Sequence, residues 1–149
     1  MEPQDAEHVV ELSQLFTPLS TTLWRGIEPE QGANWVRKHL SLPTWAGFVA
    51  HTGDDLIGFA LCRDMIDDTR GLVFPNASET VHLLYLAVDQ AFRGHGIARA
   101  LLSECEKQAK DWGRTALILD ITDDNPVLHI YQRFGFEKLG SLVFLRKKL

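Results

Sequence analysis

Residues 81–98 read Val-His-Leu-Leu-Tyr-Leu-Ala-Val-Asp-Gln-Ala-Phe-Arg-Gly-His-Gly-Ile-Ala, and they decide the fold because they pass from an apolar strand through a glycine loop into an amphipathic helix. Gly94 and Gly96 let the chain turn with positive φ and keep side chains out of the turn. The amides of the loop and of the first helical turn can then point at one anion, where the helix macrodipole adds about half a positive charge. This pattern predicts a phosphate-binding loop; the simpler alternative is a glycine turn that only connects a strand to a helix.

Two common phosphate-binding loops do not match this stretch. A P-loop requires Lys and then Ser or Thr after its last glycine, whereas Ile97 and Ala98 follow Gly96. A dinucleotide-binding loop requires a third glycine where this chain has Arg99, and no acidic residue ends a second parallel strand nearby. The anion is therefore expected to belong to another class of ligand.

The remaining pattern is R-x-x-G-x-A, from Arg93 to Ala98. A predicted strand follows at 116–121, and residues 123–136 read Asp-Asp-Asn-Pro-Val-Leu-His-Ile-Tyr-Gln-Arg-Phe-Gly-Phe. The first pattern resembles the acetyl-CoA signature of the GNAT N-acetyltransferase superfamily, and the last stretch is similar to the N-x-x-A-x-x-L-Y-x-x-x-G-F element of that family. The resemblance covers residues 81–139, with both motifs in the family's order.

Composition predicts one globular domain over residues 1–149. The net charge of −5 argues against a nucleic-acid surface and suits a cationic partner better. No signal peptide or membrane span is recognisable, so a cytoplasmic protein without a membrane partner is expected. Cys62 and Cys105 are far apart in the sequence and are interpreted as core thiols, and no metal site is expected.

The periodicity of apolar residues predicts alternating helices and strands. Asp5 is predicted to cap a first helix with the apolar residues Val9, Leu12, Leu15 and Phe16. The further predictions are a helix at 29–40, a hairpin of strands 44–51 and 56–63, a loop from Asp64 to Glu79, a strand at 80–88, a helix at 95–112, a strand at 115–122, a helix at 126–134, and final strands at 136–140 and 142–147.

This order gives an α/β fold. The resemblance implies the GNAT type, a mixed and mostly antiparallel sheet with a splayed strand pair and about four helices. Family members usually open with a strand, but only residues 1–4 precede Asp5, so the first strand is expected to be short or missing.

The resemblance also implies where acetyl-CoA would bind. The cleft would lie between residues 84–88 and 117–121, with the backbone of Leu86, Ala87 and Val88 pairing with the pantetheine arm and polarising the thioester carbonyl. The loop would hold the pyrophosphate through Arg93, Gly94, His95, Gly96, Ile97, Ala98 and Arg99. The family's conserved asparagine corresponds to Asn125 or to Asp124, and both alternatives stay open.

Acetyl transfer to an amine needs a base, because an alkylammonium with a pKa near ~10.4 is almost wholly protonated at neutral pH. Asp120 lies where ribosomal-protein N-terminal acetyltransferases keep an acidic base, although its spacing to Tyr131 is one residue shorter than in them. Many relatives instead have a glutamate at the position of Leu84, and here His82, two residues earlier, is the alternative base. For both Asp120 and His82 a purely structural role stays open.

The resemblance assigns Tyr131 as the acid that assists departure of the CoA thiolate. A phenol with a pKa near ~10 can donate to a thiolate whose acid has a pKa near ~8.5. The alternative role is packing on a helix face beside Val127 and Phe134.

The leading hypothesis is an acetyl-CoA-dependent N-acetyltransferase that acts directly on a primary amine of a small cationic molecule. The acidic residues before the strand at 80–88 favour such an acceptor; they are Asp64, Asp67, Asp68 and Glu79. The alternatives are a protein N-terminus or lysine as acceptor, and a non-catalytic sensor of acyl-CoA. Because relatives often dimerise, the resemblance also raises a homodimer as an assembly to test.

Overall fold

The computed structural model describes residues 1–15, 28–66, 77–141 and 147. The chain divides into two compact parts, Met1–Leu119 and Asp120–Leu149, which are described separately; one domain over residues 1–149 stays a prediction. The helices and strands of the first part are α1 (Ala6–Leu15), α2 (Pro29–Leu40), β1 (Trp45–Thr52), β2 (Asp55–Asp64), β3 (Thr80–Val88), α3 (Ile97–Asp111) and β4 (Ala116–Ile118). The second part contains α4 (Leu128–Arg133).

The strands form one sheet in the order β1-β2-β3-β4. β1 with β2 and β2 with β3 pair antiparallel, and β3 with β4 pair parallel. The hairpin between β1 and β2 turns through Gly53, whose φ of 60° explains the glycine. The predicted fold class, a mixed and mostly antiparallel α/β sheet, is confirmed.

Neighbouring residues of β2 show which helices cover each face of the sheet. Phe59 is buried in a core with α1 and α2, whose other members are Ala6, Val9, Val10, Leu12, Ala33 and Val36. A Cβ on Gly58 would lie 3.2 Å from atoms of both Ile97 and Leu101 in α3. Successive strand residues point to opposite faces. Helices α1 and α2 therefore cover one face, and α3 covers the other.

The two cysteines are buried on the α3 side, as predicted. Cys62 of β2 hydrogen-bonds with Cys105 of α3, and this bond together with burial raises the pKa of the Cys62 thiol well above its usual range. Cys62 is therefore held as a thiol, and both cysteines are free, buried core residues.

No strand precedes α1 among residues 1–15, which confirms the short or missing first strand. Instead a 3₁₀ turn, Pro3–Asp5, leads into α1. The carboxylate of Asp5 closes that turn by accepting the Glu2 amide at 2.6 Å. The N-terminal ammonium of Met1 donates to the carbonyl of Gly47 in β1 at 3.0 Å.

Helices α3 and α4 end in the same way, and the ending explains two glycines. Gly113 and Gly135 have φ values of 73° and 95°. Each amide after the glycine donates back to the helix, from Arg114 to the Ala109 carbonyl and from Phe136 to the Tyr131 carbonyl. This is the Schellman arrangement, in which only glycine adopts the left-handed conformation without strain.

Several predicted bounds are wrong. α3 begins at Ile97 rather than 95, because the left-handed Gly96 precedes it. β4 ends at Ile118 rather than 122, and Asp64 belongs to β2 rather than to a loop. Residues 136–140 form no strand; the Phe136 amide caps α4, and the Lys138 side chain forms an ion pair with Asp123. The predictions for Phe16, for the loop at 67–76 and for 142–146 of the final strand lie outside the described residues.

Candidate active site

The glycine loop has the predicted geometry. A 3₁₀ turn, Gln90–Phe92, follows β3 and is capped by Asp89, whose carboxylate accepts the Ala91 amide at 2.9 Å. Gly94 and Gly96 have φ values of 82° and 81°, and Gly96 is the N-cap of α3. The first-turn amides of a helix have no acceptor within the helix, so this end of α3 presents donors to the outside.

Open space surrounds both glycines of the loop. A Cβ built on Gly94 or Gly96 would meet no atom within 4 Å. The backbone conformation rather than crowding within the protein therefore demands glycine here, and an anion can approach the amides closely.

The two basic side chains of the loop make contacts that hold it in place. Arg93 Nε donates to the carbonyl of Val88, the last residue of β3, at 3.3 Å. His95 Nδ1 lies 3.2 Å from the Phe92 carbonyl and 3.0 Å from the Arg93 carbonyl. The Arg93 bond joins the loop to the end of β3, and the His95 contacts lie within the loop. Arg93, His95 and Arg99 are exposed, whereas Ile97 and Ala98 are half-buried.

β3 extends well beyond its pairing with β4. The parallel register has three residue pairs and ends at His82 and Ile118. Beyond that point, residues 83–88 pair only with β2 in the part of the chain that the structure describes. Leu86, Ala87 and Val88, half-buried, therefore lie on an edge where an extended ligand can add to the sheet.

An irregularity in β3 lies where many relatives have their glutamate. Leu61 pairs with Tyr85 and Cys62 pairs with Leu83, so Leu84 is an additional residue without a register partner on β2. Such a bulge changes the alternation of side chains. His82 is half-buried. It pairs with Arg63 of β2 and with Ile118 of β4, and it lies at the point where β3 and β4 part.

Asp120 belongs to the second part of the chain. It is exposed and lies two residues beyond the end of β4, because that strand is shorter than predicted. The nearby Asp123 carboxylate accepts bonds from Lys138 and Ser141, each at 2.8 Å, and these bonds hold the pKa of Asp123 below its usual value.

Asn125 lies just before α4, and Tyr131 lies within it. Asn125 Oδ1 accepts the Val127 amide at 3.0 Å, and the Asn125 carbonyl accepts the Leu128 amide. Asp124, the alternative position, is exposed. The half-buried ring of Tyr131 packs edge-on against Phe136 at 5.6 Å between centroids. Burial raises the pKa of the Tyr131 hydroxyl to about 12.

The structure thus brings Arg93 to Arg99 together with the end of β3, and it places Asn125 with Tyr131 in the second part. Among the described residues, no group of three or more His, Cys, Asp or Glu side chains could hold a metal ion. No described helix has the length and apolar character needed to span a membrane.

Two residues that support the site, Gly58 and Arg114, were missed as functional candidates. Gly58 lies under the first turn of α3, and Arg114 binds Asp64 across the sheet. Asp64 was predicted as one of the acidic residues that favour a cationic acceptor, but its carboxylate is occupied by this pair. Of the other three, Asp67 and Asp68 lie outside the described residues and Glu79 is exposed. No local sequence pattern marks contacts between residues so far apart.

Comparison with known proteins identifies the family. A model of the acetyltransferase (GNAT) family matches residues 9–136, and the chain belongs to that family. An acetyltransferase of Agrobacterium fabrum is 39% identical over 74 residues, which cover 50% of this chain and 53% of that protein. Human N-acetyltransferase 8B is 35% identical over 65 residues, covering 43% of this chain and 29% of that protein. These matches span about half, or less, of the relatives' own length.

Solved structures share the fold. An aminoglycoside N-acetyltransferase, AAC(6')-Iy in complex with CoA, matches with a TM-score of 0.81 and 24% identity, over 100% of this chain and 92% of that chain. A ribosomal-protein-alanine N-acetyltransferase from Brucella melitensis matches with a TM-score of 0.67 and 17% identity, over 99% of this chain and 96% of that chain. At these identities the likeness supports the fold rather than the substrate.

Proposed function

We propose that this protein transfers the acetyl group of acetyl-CoA to a primary amine of a small cationic molecule. The observation that carries the proposal is the glycine loop at the start of α3, with its two positive-φ glycines, adjoining the edge of β3 beyond its pairing with β4. Together they offer an anion site for the pyrophosphate and a strand edge for the pantetheine arm.

Each part of acetyl-CoA has a proposed set of partners. The amides from Gly94 to Arg99 would hold the pyrophosphate, and Arg93 with His95 would keep the loop in shape. The backbone of Leu86, Ala87 and Val88 would pair with the arm, and one of its amides would donate to the thioester carbonyl. Fixed amides suit this role because they need no reorganisation as negative charge develops on that oxygen. Asn125 would hold the start of α4 in place.

The proposed reaction is a direct attack. The neutral amine nitrogen bonds to the thioester carbon, and the carbon–sulfur bond breaks. The nitrogen gives up one further proton as it becomes the amide, and the departing CoA thiolate gains one, directly or through water, to end as the thiol. The proton that the ammonium must lose would pass to His82 or Asp120, directly or through water. His82 lies where β3 and β4 part, and Asp120 is exposed to solvent.

Tyr131 would assist the leaving group as a hydrogen-bond donor. With a pKa raised to about 12, its phenol holds its proton more tightly than an alkyl thiol does. Full proton transfer to the thiolate is therefore uphill, whereas a hydrogen bond to the developing negative charge is favourable.

The charge of the protein and one structural relative support a small cationic acceptor. The chain carries a net charge of −5, which attracts cations. A structure of AAC(6')-Iy contains the bisubstrate analogue CoA-S-monomethyl-acetylneamine, and it matches this chain with a TM-score of 0.80. A protein N-terminus is the second candidate acceptor, and the exposed Asp120, at the position of an acidic base in the N-terminal acetyltransferases, favours it.

Release of CoA thiol tests the proposal. Purified protein and acetyl-CoA are incubated with one acceptor pool at a time. The pools contain polyamines, aminoglycosides, amino acids or short peptides. Release with a cationic small-molecule pool supports the proposal, and release only with peptides assigns the second candidate. Calorimetric binding of acetyl-CoA without release by any pool would favour the non-catalytic sensor, for which the apolar Leu84 is the supporting feature.

A further inference from the structure

A buried ion pair joins the ends of two distant elements in the first part of the chain. Arg114 Nε donates to Asp64 Oδ1 at 2.8 Å, and its terminal nitrogen donates to Asp64 Oδ2 at 3.0 Å. The side chains are only 16% and 6% exposed, respectively. Asp64 Oδ1 also accepts the Ile66 amide at 3.1 Å. Two parallel bonds from one guanidinium fix both the distance and the orientation of the partners.

Arg114 is placed where α3 passes into β4. Its amide completes the end of α3 by donating to the Ala109 carbonyl at 2.8 Å. Its side chain reaches Asp64, at the end of β2, although β3 lies between β2 and β4. The next residue, Thr115, donates its amide to the Glu79 carbonyl at 2.9 Å, beside the start of β3. The pair therefore connects α3, β2 and the start of β4 at one end of the sheet.

We propose that Asp64 and Arg114 are positioning residues for acetyl-CoA binding. This inference rests on the proposed function, because it concerns the glycine loop and the β3 edge as the acetyl-CoA site. The pair fixes the C-terminal end of α3 against the sheet, and the glycine loop is at the other end of that helix. It also fixes the entry of β4, whose pairing with β3 comprises three residue pairs.

The length of α3 makes the position of the loop sensitive to this contact. A helix of 15 residues is about 22 Å long, so a tilt of about 3° displaces one end relative to the other by about 1 Å. Anion binding by backbone amides depends on distances of that order. The entry of β4 likewise determines where its pairing with β3 begins, and with it how much of the β3 edge stays accessible.

Calorimetry with Arg114→Gln and Asp64→Asn tests the inference. Each change keeps a hydrogen-bonding side chain but leaves the partner's charge without its counter-ion, so each should also lower the stability of the fold. We expect each to raise the Kd of acetyl-CoA by about tenfold, while kcat at saturating acetyl-CoA changes by less than about threefold. The double variant should bind no more weakly than either single variant, because both remove the same interaction. Arg114→Lys keeps the cation but not the paired geometry, and we expect it to raise the Kd by about threefold.

The matched control is Arg37→Gln, at an ion pair between α2 and α1 in which Arg37 lies 2.8 Å from Glu7. It should leave the Kd unchanged. Circular dichroism first establishes which variants are folded, and Arg114→Lys serves if the other two are not. Folded variants, including Arg114→Lys, that bind acetyl-CoA within twofold of the wild type would overturn the inference. A folded wild type that does not bind acetyl-CoA would instead overturn the proposed function.

Discussion

At the scale of the residue, Tyr131 combines a helix-capping position with a buried phenol. The Tyr131 carbonyl accepts a hydrogen bond from the Phe136 amide, and the Tyr131 ring packs edge-on against the Phe136 ring. The Tyr-x-x-x-Gly-Phe sequence is therefore a helix ending with its usual apolar contact. This local packing limits the ring's freedom, and burial keeps the hydroxyl neutral over the whole physiological range. A pre-oriented neutral donor is what a departing thiolate requires.

Replacing Tyr131 by Phe removes the donor and keeps the ring. We expect kcat to fall by about 10²-fold, because a positioned proton donor contributes that much, with little change in the Kd of acetyl-CoA. Steady-state kinetics and calorimetry measure the two quantities. Phe136→Leu is the matched control, since it disturbs the packing of the ring without removing the hydroxyl, and it should cost far less in kcat. Equal losses of kcat and affinity in Tyr131→Phe would assign a packing role.

The raised pKa of Tyr131 predicts the alkaline side of the pH profile. The phenol stays protonated up to about pH 12, whereas an unshifted tyrosine would be half ionised near pH 10. An amine acceptor with a pKa near ~10.4 becomes more reactive as the pH rises over the same interval. We therefore expect kcat/KM to rise from pH 7 to pH 10 without a falling limb. A decrease of kcat/KM with a midpoint below pH 10, present in the wild type and absent in Tyr131→Phe, would contradict the raised pKa.

At the scale of the element, the packing of α3 on β2 holds in place the end of the helix where the pyrophosphate is proposed to bind. Gly58 is buried, and a Cβ there would lie 3.0 Å from the Ala87 carbonyl as well as 3.2 Å from Ile97 and Leu101. The carbonyl belongs to β3 and cannot rotate away as a side chain can. The absence of a side chain at Gly58 thus allows α3 to approach the sheet at its first turns.

Gly58→Ala should weaken acetyl-CoA binding by moving the start of α3. Overpacking of this kind costs about 1–3 kcal/mol of unfolding free energy, and we expect a rise in Kd of about threefold or more because the loop moves with the helix. Denaturant unfolding and calorimetry measure the two effects. Gly140→Ala is the control, since a Cβ at Gly140 would meet no atom within 4 Å. A Gly58→Ala protein that is less stable but binds acetyl-CoA with unchanged Kd would contradict this prediction, because packing at Gly58 would then not determine the position of the loop.

At the scale of the whole molecule, the proposed acetyl-CoA contacts come from several elements distributed along the chain. The strand edge belongs to β3, and the amides belong to the loop and to α3. A ligand that binds only the native arrangement of such elements stabilises the folded state by mass action.

Acetyl-CoA should therefore raise the unfolding temperature. At a concentration of 100 times Kd the stabilisation is about 2.7 kcal/mol, which corresponds to roughly 5–11 °C for a chain of this size. Differential scanning calorimetry measures the shift, and adenosine at the same concentration is the control that lacks the pyrophosphate and the arm. A shift below 1 °C with acetyl-CoA would contradict binding to the folded protein.

Local chemistry in the sequence determined the elements and the loop. Gly94 and Gly96 predicted positive φ, and the apolar period predicted α2 and β3 within a residue of their bounds. These features depend on neighbours within a few residues, which is why they can be read from one stretch of chain. The resemblance of residues 81–139 likewise led to the family, which the match over residues 9–136 confirms.

Only the tertiary structure decided the features that depend on distant residues. The bulge at Leu84 arises from the register of β3 against β2, and the early end of β4 at Ile118 depends on how it meets β3. The burial that raises the pKa of Tyr131 and the partner of Arg114, fifty residues away, follow from packing. A contact between residues far apart in the chain leaves no periodic trace in either local sequence, so three-dimensional packing alone determines it.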